Sequence, residues 1–152
     1  MRAAIVLVVL LVSSAFASAA SVGMKSIVDP YVRIQRSLNA DNLKGVQKSA
    51  QGLAAEAAKL GAAGDAILSA AGELQHSTQL TVARASFSRL SDAVIAYVKG
   101  SGVSLGEDVK VGYCPMLRKH WLQKGDTVQN PFYGKSMSEC GRILTGLPDL
   151  NK

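Results

Sequence analysis

The sequence predicts a mainly α protein: a four-helix up-down bundle followed by a loop-rich C-terminal segment carrying a short strand or two. Two observations predict it. Apolar residues recur at helical spacing through residues 26–99, the signature of amphipathic helices. From residue 103 onward Pro and Gly recur too often for a long helix. With 152 residues and no internal repeat, the chain has room for one ordinary domain, or one plus a small appendage. A hydrophobic fraction of 48% is enough for a packed core and excludes a disordered chain.

The first element is a targeting segment. Arg2 precedes ten unbroken apolar residues, Ala3 to Val12, and Ala17-Ser18-Ala19 supplies the small residues of a cleavage site. Residues 1–19 therefore read as a signal peptide cut after Ala19, with Ala17 as the alternative. The apolar run is shorter than the roughly 20 residues that span a bilayer, and no second such run follows. The expected product is a periplasmic or secreted chain with no membrane insertion after cleavage.

Residues 20–102 form the expected bundle. Asp29-Pro30 reads as a helix start, with Asp as N-cap and Pro at the first position. Ile27, Tyr31, Ile34 and Leu38 then share a face. Asp41 reads as the cap of a second helix striped by Leu43, Val46, Ala50, Leu53, Ala57 and Leu60. Gly61 to Gly64 interrupts the chain. Asp65 precedes a third helix bearing Ile67, Ala70 and Leu74. The polar run Gln75 to Gln79 is a turn, with His76 exposed in it. The fourth helix carries Leu80, Ala83, Phe87, Leu90, Val94 and Tyr97 or Val98 and stops at Gly100-Ser101-Gly102. The Ala-rich second helix buries little area per residue, so the bundle is expected to need the C-terminal segment against it.

Residues 103–152 are written differently, yet are expected to form one domain with the bundle. Val109-Lys110-Val111-Gly112-Tyr113 suits a short strand. Asn130-Pro131-Phe132-Tyr133-Gly134 reads as a turn, and Trp121, Phe132 and Tyr133 as packing against the helices.

Charge narrows the partners. The chain after the signal has 16 basic and 11 acidic side chains, spread evenly. Without a basic block or interleaved aromatics, nucleic-acid binding is excluded.

The chemistry lies in the sulfurs. Cys114-Pro115-Met116 sets two of them two residues apart, and Met137 precedes Cys140 by three. If the segment folds back, two thiols and two thioethers converge, with His120 as the one nearby imidazole. Soft sulfur ligands select soft metals such as Cu(I), and Ag(I) follows the same logic. The candidate ligands are Cys114, Met116, Met137, Cys140 and His120. The alternative is a Cys114–Cys140 disulfide, since paired cysteines in exported proteins often bridge. Closing that 27-residue loop is worth about 3.5 kcal/mol in the chain-entropy model. A nucleophilic Cys114 with His120 as base and Asp126 behind it lacks anything to hold the arrangement. Carboxylates stand singly and no phosphate-binding glycine loop is present, so no enzyme is expected.

Tyr113-Cys114-Pro115-Met116, Trp121-Leu122-Gln123, Asn130-Pro131-Phe132-Tyr133-Gly134-Lys135-Ser136-Met137 and Cys140-Gly141 together resemble a bacterial exported family of unassigned function. That family also forms the C-terminal domain of periplasmic adaptor proteins in copper/silver efflux systems. Asp41-Asn42-Leu43 and Arg84-Ala85-Ser86-Phe87 fit the same pattern, so the resemblance runs over residues 26–145. It departs at Leu117-Arg118-Lys119-His120, which is shorter than the corresponding loop in many members. The resemblance implies handling of a heavy-metal ion in the periplasm, efflux-system components as partners, and Cys114, Met116, Met137 and Cys140 as ligands.

Overall fold

A computed structural model describes residues 23–102 and 104–148. The expected signal peptide lies outside the described residues. Among the described residues there are four α-helices: α1 over 23–39, α2 (Leu43–Ala58), α3 (Asp65–Gln75) and α4 (Leu80–Ser101). A three-stranded antiparallel sheet follows: β1 (Val109–Cys114), β2 (Lys119–Lys124) and β3 (Arg142–Leu144). The strand order is β2-β1-β3, one strand more than expected. No described helix is long and apolar enough to cross a membrane.

Two expected helix boundaries are corrected. Asp29-Pro30 does not start α1, which already runs through 23–29. Pro30 has no N–H for the carbonyl of Ser26, a cost in a helix interior. Burial of Met24, Ile27 and Val28 on the same side as Tyr31 offsets it. Nor is Asp41 the cap of α2. Asn42 takes that role, accepting from the Gly45 amide at 3.1 Å. Asp41 sits at φ 55° and turns its carboxylate to Arg84.

The apolar stripes are core. Val46, Ala50, Leu53, Ala57, Leu74, Ala83, Phe87, Leu90 and Val94 have no exposed surface. α3 packs on both α2 and α4. A left-handed Gly102, φ 65°, ends α4.

The core continues without a break into the C-terminal segment through Val111, Cys114, Trp121, Leu122 and Phe132. A string of rings joins the parts: Tyr31–Phe87 at 5.2 Å, Phe87–Phe132 at 5.9 Å and Phe132–Trp121 edge-on at 6.0 Å. The helices also close one edge of the sheet. The Leu122 amide donates to Tyr31 Oη at 3.1 Å, and Ser91 Oγ donates to the His120 carbonyl at 2.8 Å. Tyr31 Oη and Ser91 Oγ are 2.5 Å apart. With the Ser91 proton on His120, the Tyr31 hydroxyl donates to Ser91, and every member of the chain is paired. An open strand edge invites pairing with other chains; β2 has this edge covered by side chains of α1 and α4.

Candidate metal centre

β1 ends at Cys114, and Pro115-Met116-Leu117-Arg118 turns the chain into β2. On the other side β1 pairs with β3, Tyr113 standing opposite Arg142. Continuing that register puts Cys114 opposite Gly141, one residue from Cys140. The tail therefore doubles back and brings Cys140 to the Cys114-Pro115-Met116 cluster. Cys140 Sγ lies 3.8 Å from Met116 Sδ, across 24 residues of sequence.

Buried polar groups hold this return. Asn130 has no exposed surface. Its Nδ2 donates to the Cys140 carbonyl at 2.6 Å, its amide donates to the Ser138 carbonyl at 2.6 Å, and its Oδ1 accepts from the Phe132 amide at 2.8 Å. The last contact is the local turn that Asn-Pro favours. The Cys140 amide donates to the Met137 carbonyl at 3.1 Å, so the turn bearing both sulfurs is closed on itself. Gln123, also fully buried, organises the loop that follows β2. Its Oε1 accepts from Trp121 Nε1 at 2.9 Å and from the Gln129 amide at 3.0 Å; its Nε2 donates to the carbonyls of Gly125 and Thr127. Neither Gln123 nor Asn130 was marked as a positioning residue by the sequence. Of the two, only Asn130 carries a local signal, the Asx turn before Pro131.

The expected ligands separate into groups. Cys140 is half-buried, and Met116 and Met137 are exposed at 62% and 38%. Cys114 is fully buried in the core. Cys114 and Cys140 are not bonded to each other in this structure. His120 pairs across the sheet with Tyr113, and the two rings lie 4.8 Å apart. Strand alternation puts Tyr113 and His120 on the face opposite Cys114. Desolvation holds the His120 imidazole below its ordinary range; Asp92 opposes that, while Lys119 and Arg142 add to it. Arg142 also covers the Tyr113 ring at 4.8 Å. Among the described residues no three of His, Cys, Asp and Glu gather where they could hold a metal, so Cys114, Cys140 and His120 do not form such a group. His76 is exposed at the end of α3.

A second set of the quoted motif residues anchors the segment. Arg84 donates to the carbonyls of Pro131 (3.2 Å) and Leu38 (3.3 Å) and pairs with Asp41. Asp41 in turn accepts from the Lys135 amide. Gly134 sits beneath this pair at φ 58°, where a Cβ would lie 2.0 Å from the Asp41 carboxylate. Only glycine fits both the conformation and the space.

Residues 27–106 match the model of a family described as a protein of unknown function, DUF3347. The chain belongs to the DUF3347 family. The DUF3347 match spans most of α1, all of α2 to α4 and the start of the linker. It ends before β1, so the sulfur-bearing segment lies beyond it. No curated protein and no solved structure matches the chain.

Proposed function

We propose that this chain is an exported, non-catalytic binding module for Cu(I) or Ag(I), serving heavy-metal tolerance or efflux, built as an up-down helical bundle that carries a sulfur-bearing segment. One observation carries the reading: Cys140 Sγ and Met116 Sδ are 3.8 Å apart at the surface. Two sulfurs on one ion, with bonds of about 2.3 Å, stand roughly 3.8 Å apart when the angle between them is near tetrahedral. The Cys140 thiol donates to the Met116 thioether at this distance, and one ion could bridge the same two sulfurs without moving them apart. The donors are of the soft type that Cu(I) and Ag(I) take. Periplasmic location and efflux-system partners rest on the N-terminal sequence and on the resemblance to the adaptor domains.

The test is titration of the reduced protein with Cu(I) against a competing chelator. Tight binding by the parent, lost in a Cys114→Ser, Cys140→Ser, Met116→Leu, Met137→Leu variant, is the expected result. Equal affinity of the two overturns the reading.

The second reading is an interaction domain stapled by a Cys114–Cys140 disulfide. The return of the tail brings Cys140 to within one residue of the position opposite Cys114, so the bridge requires Cys140, which lies before β3, to turn its side chain to the Cys114 face. Exposed Met116 and Leu117, beside a recess of about 240 Å³ lined by Leu117, Phe132 and Ala85, would then offer a protein-binding surface. Intact mass separates the two: a loss of two hydrogens that survives mild reductant supports the staple.

A further inference from the structure

We propose that the centre holds a monovalent soft cation on one thiolate, Cys140, and two thioethers, Met116 and Met137, with Cys114 and His120 left out. This rests on the soft-metal reading above and specifies its ligand set.

Cys114 is excluded by its surroundings. It is fully buried in the same core as Trp121 and Leu122. An ion reaching its sulfur would give up its water among apolar side chains, a costly transfer. His120 is excluded by orientation, its ring lying on Tyr113 across the sheet. What remains is a single ionisable donor and two neutral ones. Zinc sites use four donors drawn from thiolate, imidazole and carboxylate, and no group of three such residues exists among those described. Thioethers suit soft ions instead.

Charge points the same way. One thiolate neutralises a monovalent ion and leaves a divalent one with a net positive charge. The segments bearing the three sulfurs, residues 114–119 and 135–142, carry Arg118, Lys119, Lys135 and Arg142 against a single acid, Glu139. Of these bases, Lys119 is paired with Asp92. Residual positive charge on the ion is therefore opposed by its neighbours.

The three sulfurs are not equally held. The backbone of Cys140 is pinned through the buried Asn130 and the Met137 carbonyl, so only its side-chain torsion remains to be set when an ion binds. Met116 and Met137 project into solvent. They are ligands an acceptor can replace one at a time, as suits delivery rather than storage.

The experiment uses the reduced full chain and titrates silver nitrate and zinc chloride separately against competing chelators. One Ag(I) is expected per chain, with Zn(II) at least about 100-fold weaker. Cys114→Ala and His120→Asn should stay within about twofold of the parent, Cys140→Ser should lose at least about 100-fold, and Met116→Leu and Met137→Leu about tenfold each. Circular dichroism confirms that each variant is folded. Zinc bound as tightly as silver overturns the inference, and so does a folded Cys114→Ala as defective as Cys140→Ser; the soft-metal reading survives the second result. Absence of Ag(I) and Cu(I) binding by the parent overturns both.

Discussion

Helices α1 to α4 and the segment from β1 to β3 share one core but are held by different forces. In the helices the fully buried side chains are mostly aliphatic: Ile34, Leu38, Leu53, Leu74 and Leu90. Their burial is non-directional, and similar residues could exchange places at modest cost. In the segment the fully buried set includes Gln123 and Asn130 beside Trp121. Each amide is spent on backbone groups of loops that have no ladder of their own. Such a network is directional and tolerates no missing member. The sulfurs belong to the segment for this reason: hydrogen bonds fix a loop in one place, whereas a stripe of Leu and Ala fixes only a face.

The largest effect is expected where the two parts meet. Trp121→Ala should cost about 3–5 kcal/mol, read by urea unfolding. It should do so in one transition, because the ring string Tyr31–Phe87–Phe132–Trp121 crosses the boundary. Two separate transitions would break the single-core picture. Gln123→Leu keeps the volume but strands Trp121 Nε1 and the Gln129 amide; orphaning both should cost at least about 2 kcal/mol. Hydrogen exchange should then rise in residues 125–130 before it rises in the helices. Tyr31→Phe removes the acceptor of the Leu122 amide and the donor to Ser91, for about 1–3 kcal/mol. A neutral result would show that the covered edge of β2 contributes nothing.

Smaller effects sharpen the contrast. In the helices Gly52 and Gly72 have open space where a Cβ would go, so Gly52→Ala and Gly72→Ala should each raise stability by up to about 1 kcal/mol. In the segment Gly112 faces Trp121, and a Cβ would lie 2.2 Å from the indole; Gly112→Ala should therefore destabilise. Thermal melts of the three variants check the sign. The smallest effect is a pH dependence. The folded state holds His120 below its ordinary value of 6.5, so the unfolded chain binds the proton more readily. Stability should be full above pH 6.5 and fall as the pH drops towards the depressed value. His120→Asn should flatten that part of the profile.

Much of the helical part was legible because its signal is local. Val46, Ala50, Leu53 and Ala57 repeat within one element, and all four are buried as their spacing predicts. Pro30 misled because a propensity rule was outweighed by burial of Met24, Ile27 and Val28, which the rule does not weigh. β2 was less legible: Lys119–Lys124 buries three consecutive residues, Trp121, Leu122 and Gln123, so no alternation marks it. The sulfur pairing was half legible. Two clusters could be read off the chain, and so could the need for a return between them.

The helical faces, the turn glycines, the place of β1 and the inventory of soft donors follow from the amino-acid order alone, since each depends on residues a few positions apart. The tertiary structure alone decided which sulfurs meet. Cys140 reaches Met116 while Cys114 sinks into the core and His120 turns to Tyr113. Those outcomes follow from strand register and from the long-range bonds of Asn130, between residues that have no proximity until the chain is folded.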